Sequence, residues 1–345
     1  MTNFCFISSL EITKELWNSV CVLDVRSPQE FYEGHLPGAI SFPLFDDDQR
    51  REVGICYKNE GKQKAILLGM KLIQNKLDQL ILQADSISLG KPLVVYCWRG
   101  GMRSNAIAWL LSLYGMNVTV IEGGYKTFRN QWREYFEKKN FKICIIAGKT
   151  GAAKTEIIKE LKLLHQQVID LEALANHKGS AFGWIAEKQQ PTNEQFENNL
   201  IFELMKVDEN RILWLENESK RIGKITIPDY LWQKMQRADH LFIQRDEEFR
   251  KQHLIQTYSK TDPQDLIRSF QSIQRRLGFE ACSNAIAFVE QNELNKAVDI
   301  ALSYYDSCYA FDIEKNKLSK NIFLECYFQS NLEIAKRIVN EYGKC

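Results

Sequence analysis

Pro92-Leu93-Val94-Val95-Tyr96-Cys97-Trp98-Arg99-Gly100-Gly101-Met102-Arg103-Ser104 opens as a β-branched and aromatic run, closes on two glycines and passes into helical apolar spacing over Arg103 to Leu113. A wholly apolar strand needs cover on both faces, so a strand that turns at once into a helix predicts a parallel α/β sheet. Cys97 sits at that junction. Loop amides, the positive helix end, Arg99 and Arg103 would all favour a thiolate or a bound anion there, and Gly100 and Gly101 let the backbone curl without a Cβ penalty. Trp98 and Ser104 complete the loop. The plain alternative is a buried, inert strand-end cysteine; two arginines and two glycines in so short a loop argue for a reactive one.

Outward from this stretch, Val20 to Val25 and Val118 to Ile121 have the composition of further strands, and Lys64 to Ala84 carries helical spacing. A second βα series starts at Lys142. Ile143 to Ile146 reads as its first strand and Glu156 to Leu164 as its first helix, with more strands expected at Val168 to Leu171, Ile212 to Leu215 and His240 to Ile243. Beyond Arg245 the spacing is nearly all helical, strongest over Asp265 to Arg276 and Leu294 to Tyr304.

The chain has 345 residues, long enough for two domains, with 45% hydrophobic and 26% charged residues and a formal net charge of +1. No apolar run approaches the roughly 20 residues of a membrane helix. The start, Met1-Thr2-Asn3-Phe4-Cys5, lacks the features of a secretory signal, which predicts a cytoplasmic protein without membrane contact. Nine cysteines form no CxxC pair, so neither a zinc knuckle nor a paired redox motif is expected. The charge balance supplies no global basic field, and any nucleic-acid contact must come from a local patch.

Gly148-Lys149-Thr150-Gly151-Ala152-Ala153-Lys154-Thr155 follows the strand at Ile143 to Ile146 and precedes a helix, the context a phosphate loop requires. Its amides would cradle a di- or triphosphate, Lys154 would neutralise outer phosphate charge, and Thr155 could hold Mg²⁺. Ala153 stands where the pattern has glycine, and its Cβ is expected to crowd a conformation that glycine enters freely. Asp170 and Glu172 form a weak acidic strand end, and no base-recognition motif is readable, so ATP hydrolysis does not follow.

Asp24-Val25-Arg26-Ser27-Pro28-Gln29-Glu30-Phe31 and Gly34-His35-Leu36-Pro37-Gly38-Ala39, at their spacing from Cys97, resemble the rhodanese domain. Asp24 and Arg26 read as a buried scaffold pair rather than as chemistry. Nearly end to end the chain resembles one family, the tRNA 2-selenouridine synthases, through the cysteine loop and through Gly54-Ile55-Cys56-Tyr57-Lys58, Asp170-Leu171-Glu172, His177-Lys178-Gly179-Ser180-Ala181-Phe182-Gly183, Trp214-Leu215-Glu216-Asn217-Glu218-Ser219 and Tyr304-Tyr305-Asp306. The organisation expected is a rhodanese-like domain over 1–125, a linker helix over 126–141, a P-loop-like α/β domain over 142–245 and a mainly helical extension over 246–345.

The resemblance implies that geranyl diphosphate alkylates the 2-thio group of a tRNA wobble uridine and that selenophosphate then supplies selenium in its place, with Cys97 as carrier. No tightly bound cofactor and no metal ligand set is expected. Our own assignment puts the geranyl diphosphate headgroup in Gly148 to Thr155. His177, Lys178, Ser180, Glu216, Glu218 and Ser219 are secondary candidates, each with an ordinary structural reading beside the functional one. For tRNA, the basic residues are Lys126, Arg129, Arg133, Lys138, Lys139 and Lys142, on and after a helix whose Phe128, Trp132, Tyr135 and Phe136 read as a packing face. Two rivals stand: a rhodanese sulfurtransferase fused to an ATP-binding, kinase-like domain for a small molecule, and a non-catalytic oxyanion sensor.

Overall fold

The computed structural model describes residues 4–315 and 320–343, with side chains described at 4–308 and 320–343; Met1-Thr2-Asn3 and Cys345 lie outside these bounds. The chain forms two compact units, one of Met1–Lys138 with Glu197–Lys206, the other of Lys139–Phe196 with Val207–Cys345.

The first unit is built on β1 (Cys5–Ile7), β2 (Cys21–Asp24), β3 (Ile40–Ser41), β4 (Leu93–Tyr96) and β5 (Val118–Ile121), in the order β1-β5-β4-β2-β3. Every pairing is parallel. β4 is central and buried along its whole length, which explains its unbroken apolar run. Helices on its flanks bury Leu80, Ala84, Ile107 and Leu111 against Leu23, Val95 and Val120. The helix expected over Lys64 to Ala84 is two, Lys62–Ile73 and Leu77–Ser88, since the polar Gln74-Asn75-Lys76 interrupts the apolar spacing.

Asp24 and Arg26 are both fully buried and share an ion pair at 2.6 Å, and the same Arg26 Nη2 also donates to the Gly34 carbonyl at 2.6 Å. The Arg26 guanidinium also lies 3.9 Å from the Tyr125 ring centroid. This pair ties the end of β2 to the turn before β3 and to the start of the helix Gly124–Lys138.

Two boundaries differ from expectation. The helix anticipated as a linker, Gly124–Lys138, is part of the first unit, where Tyr125, Phe128, Trp132 and Phe136 form its buried face. Residues 197–206, sited by sequence within the second domain, also belong to the first unit. There Phe202 packs on Trp17 and Phe128 with ring centroids 5.0 and 5.8 Å apart, and Asn198 donates to the His35 carbonyl and the Tyr125 hydroxyl. Burial of these aromatics outweighs sequence proximity.

The second unit has β6 (Lys142–Ala147), β7 (Gln167–Ile169), β8 (Ile212–Glu216), the hairpin strands β9 (Arg221–Ile222) and β10 (Ile225–Thr226), β11 (Asp239–Gln244) and β12 (Asn321–Glu325). Its main sheet is parallel, in the order β12-β11-β6-β8-β7, with β6 central. The extension after Arg245 is therefore not helical alone: β12 pairs with β11, and the helix Asn331–Tyr342 buries Ile334, Ala335 and Ile338 against Ile157, Ile158 and Leu161. The intervening helices Glu247–Tyr258, Pro263–Ser272, Phe279–Glu290 and Leu294–Lys315 pack around a separate apolar cluster that includes Phe182 and Phe270.

Removing the carboxylate of Asp24 leaves the Arg26 charge buried without its partner. Asp24→Ala should cost about 3–5 kcal/mol of unfolding free energy in denaturant titration, whereas a change below about 1 kcal/mol would show that the pair is dispensable.

Candidate functional site

Cys97 follows β4 directly and is buried, at 3% exposure. The Gly101 amide donates to Sγ at 3.3 Å, and the Ser104 hydroxyl lies 3.3 Å from Sγ while also reaching the Gly101 carbonyl at 3.0 Å. A thiol can donate to the Ser104 oxygen; a chalcogenide anion would draw the hydroxyl proton toward itself. The loop is shaped by a backbone approach that the sequence reading missed. Gly124 has φ +63, and a Cβ there would stand 2.3 Å from the Cys97 carbonyl oxygen. The Tyr125 and Lys126 amides then hold the Cys97 and Trp98 carbonyls at 2.9 and 3.0 Å.

The two arginines of the loop differ. Arg103 forms a fork with Glu30 at 2.5 and 3.2 Å and does not stand free beside the sulfur, which corrects the expectation that both guanidiniums serve it. Burial raises the Glu30 pKa, but the hydrogen bonds and charge of Arg103 more than reverse this and hold it below the ordinary value. Arg99 is exposed. Trp98 packs on Tyr125 with ring centroids 5.6 Å apart.

In the second unit the phosphate loop leaves the end of β6 and enters the helix Lys154–Leu163. Ala153 adopts φ 60 and ψ 38, the left-handed conformation that glycine would enter freely. The Lys154 ammonium donates to the Gly148 carbonyl at 3.0 Å, and the Thr155 hydroxyl donates to Glu172 at 3.0 Å. Gly151, at φ +82, would bring a Cβ to 2.7 Å from the Arg250 carbonyl oxygen. Arg250 is 3% exposed, donates to the Thr150 carbonyl and forks onto Asp306 at 2.8 and 2.9 Å. Lys149 meets the same carboxylate at 3.1 Å. No local signal singles out Arg250, one charged residue among many on its helix.

The loop borders a cavity of about 820 Å³ that Glu172, Lys178, Ser180, Glu218 and Ser219 also line. Of the acidic strand end, only Glu172 reaches the loop; Asp170 instead caps the helix Leu171–Ala175 by accepting the Ala173 amide at 2.7 Å. Glu216 is 1% exposed at the end of β8, beside β6. Burial first, and then the Glu172 charge, push Glu216 and Glu218 well above the ordinary carboxylate value. Burial also raises Glu172, against the pull of Lys154. His177 does not line the cavity; it is buried, with its ring packed where Gly183 and Gly223 leave no room for a Cβ, and burial lowers its pKa. Lys178 pairs with Glu187 at 3.3 Å, and Ser219 donates to the Arg221 carbonyl at 2.6 Å. No group of three or more His, Cys, Asp or Glu that could hold a metal ion occurs among the described residues.

The expected basic patch is only partly available. Arg129 and Arg133 both bind Glu197, the former at 2.5 Å, and Lys139 lies 3.5 Å from Glu209. Lys126, Lys138 and Lys142 are exposed. Among the described residues no helix is long and apolar enough to cross a membrane.

Ala153→Gly should relieve about 1 kcal/mol of backbone strain and raise the thermal midpoint by a few degrees; an unchanged or lower midpoint would contradict the strain. Glu218 has a folded pKa above its unfolded one, so the stability it confers is full below the unfolded value near 4.5 and is lost as pH rises through the folded value. The midpoint of Glu218→Gln relative to the natural protein should therefore rise between pH 5 and pH 8, and a pH-independent difference would contradict the shift.

Comparison with known proteins agrees with this architecture. Residues 141–338 match the family model described as the tRNA 2-selenouridine synthase AAA domain, and residues 9–131 match the rhodanese-like domain. The tRNA 2-selenouridine synthase of Shewanella frigidimarina is 32% identical over 90% of this chain and 93% of its own length; that of Sulfurovum sp. is 31% identical over 94% and 96%. Among solved structures, the N-terminal domain of a Clostridium difficile 630 protein is 41% identical over 36% of this chain and 97% of that chain, with a TM-score of 0.34. A rhodanese-related protein of Thermoplasma volcanium is 22% identical over 37% of this chain and 93% of that chain, with a TM-score of 0.23. With a matched model over more than half its length and curated relatives aligned nearly end to end, the chain belongs to the tRNA 2-selenouridine synthase family.

Proposed function

We propose that this protein converts wobble 2-thiouridine of tRNA to 2-selenouridine in the cytoplasm, through an S-geranyl-2-thiouridine intermediate, with geranyl diphosphate and selenophosphate as co-substrates. The observation that carries the reading is the donor set at Cys97, where an amide and a hydroxyl each lie 3.3 Å from a sulfur at the start of a helix. Both groups can donate to a chalcogen anion carried on that sulfur.

In the first step the 2-thio sulfur attacks C1 of the geranyl chain, the C1–O bond breaks, diphosphate leaves and the uracil N3 proton is lost. Charge builds on the diphosphate as the bond breaks. Lys154 and the amides of the loop Gly148 to Thr155 suit that charge, and Mg²⁺ at Thr155 would add to it. Alkylation turns a poor leaving group, sulfide, into a thiolate.

In the second step selenium held on Cys97 as a perselenide adds to C2, and geranylthiolate departs. A small cellular thiol then attacks the Cys97 sulfur, breaks the S–Se bond to release 2-selenouridine, and leaves Cys97 as a mixed disulfide. Selenophosphate displaces that thiol from the disulfide, and hydrolysis of its P–Se bond regenerates the perselenide with release of phosphate. The cycle needs no net oxidant. The exposed Lys126, Lys138 and Lys142 are available for tRNA phosphates.

Mass spectrometry of nucleosides from 2-thiouridine tRNA, incubated with both co-substrates and with each omitted, tests the reading. Cys97→Ser should accumulate geranylthiouridine without selenouridine. Lys154→Ala should slow geranylation by about 10²-fold or more. Sulfur transfer from thiosulfate together with ATP turnover, and no tRNA modification, would establish the fused sulfurtransferase instead.

A further inference from the structure

A second space opens off the phosphate cavity. Thr150, Ser180, Leu254, Tyr258 and Tyr305 line both, so the two join beside the phosphate loop. Inward from this mouth the walls are Phe182, Leu266, Phe270, Leu294, Ala297 and Ala301. Hydroxyl groups therefore occur only at the mouth, and the inner end is hydrocarbon. The volume is about 40 Å³. As one water-sized sphere takes roughly 10–15 Å³, this is room for about three spheres, a small apolar channel. Water at the inner end would find no polar partners, and apolar spaces of that kind stay dry and take apolar ligands.

The channel is attached to the headgroup cradle through one helix. Leu294–Lys315 supplies Ala297 and Ala301, one turn apart on one face, and then Asp306, which holds both Lys149 of the phosphate loop and the Arg250 that bonds the Thr150 carbonyl. Channel and diphosphate loop are thus fixed at a set separation. A nucleotide fits this arrangement badly, because a base entering the channel would leave its ring nitrogens and exocyclic groups unpaired. A diphosphate ester with a hydrocarbon tail matches the hydroxyl-lined mouth and the apolar walls.

We propose that this channel binds the tail of a prenyl diphosphate, and that Ala297 and Ala301, facing Phe270, set the tail length the enzyme accepts. The assignment rests on the prenyl-donor reading of the preceding section. It adds the tail site and the residues that discriminate chain length. The methyl side chains of Ala297 and Ala301 leave the space open, and a larger group at either position would fill it from the wall.

Calorimetric titration of the full chain with inorganic diphosphate and with dimethylallyl, geranyl and farnesyl diphosphates provides the test, with ATP alongside. The natural protein should bind geranyl diphosphate at least tenfold more tightly than inorganic diphosphate, and more tightly than the dimethylallyl ester. Ala301→Phe should lose at least tenfold for the geranyl ester while binding inorganic diphosphate within about threefold of the natural protein. Ala297→Val, a milder change, should move the same preference in the same direction and covers the case in which the larger substitution disrupts folding. Geranyl diphosphate binding that neither variant weakens selectively would overturn the channel assignment and leave the donor reading intact. Binding of ATP with no binding of any prenyl diphosphate would overturn the donor reading itself, and with it the assignment.

Discussion

A parallel strand buried on both faces delivers its last residue to the sheet edge next to the amides of an incoming helix, and both candidate sites of this protein depend on that junction. β4 hands on Cys97, and β6 hands on the loop from Gly148 to Thr155. Each is the central strand of its five-stranded sheet, so neighbours on either side hold it in register. The unpaired amides at a helix start cannot turn elsewhere without unravelling the first turn, and they remain available to an anion.

Ion pairs then decide which charges each site can use. Arg103 stands next to the cysteine loop in sequence, but Glu30 holds it; Arg129 and Arg133, on a helix that reads as basic, are bound to Glu197. In the second unit the pairs serve the loop's shape, because Arg250 fixes a loop carbonyl while Asp306 fixes Arg250. A buried charge retains its partner because breaking the pair would strand the other member. Counting basic residues along the chain consequently overstates the positive surface.

The carboxyl cluster has the opposite character. Glu172, Glu216 and Glu218 approach one another near Lys154; burial raises all three above the ordinary carboxylate value, and the Glu172 charge adds to the rise at Glu216 and Glu218. Like charges that crowd a phosphate site cost stability, and proteins retain such groups where chemistry uses them. The strained Ala153 belongs to the same pattern of local cost at a working loop.

The sequence by itself determined the junctions. Runs such as Leu93 to Tyr96 and Ile143 to Ile146, rich in β-branched residues and bounded by glycine loops, read as parallel strands, and the glycines, Cys97, Lys154 and Thr155 that follow are set by adjacency along the chain. The scaffold role of Asp24 and Arg26 was legible too, since one residue separates them and the strand end brings them together. Tertiary structure alone decided whatever depends on distant segments: the press of Gly124 on the Cys97 carbonyl, the inclusion of residues 197–206 in the first unit, the return of β12 to the second sheet, and the meeting of Arg250, Asp306 and the phosphate loop. Local sequence carries strand and helix periodicity because those bonds are local. Burial and charge pairing are satisfied across the chain, by whichever residues the packing brings within reach.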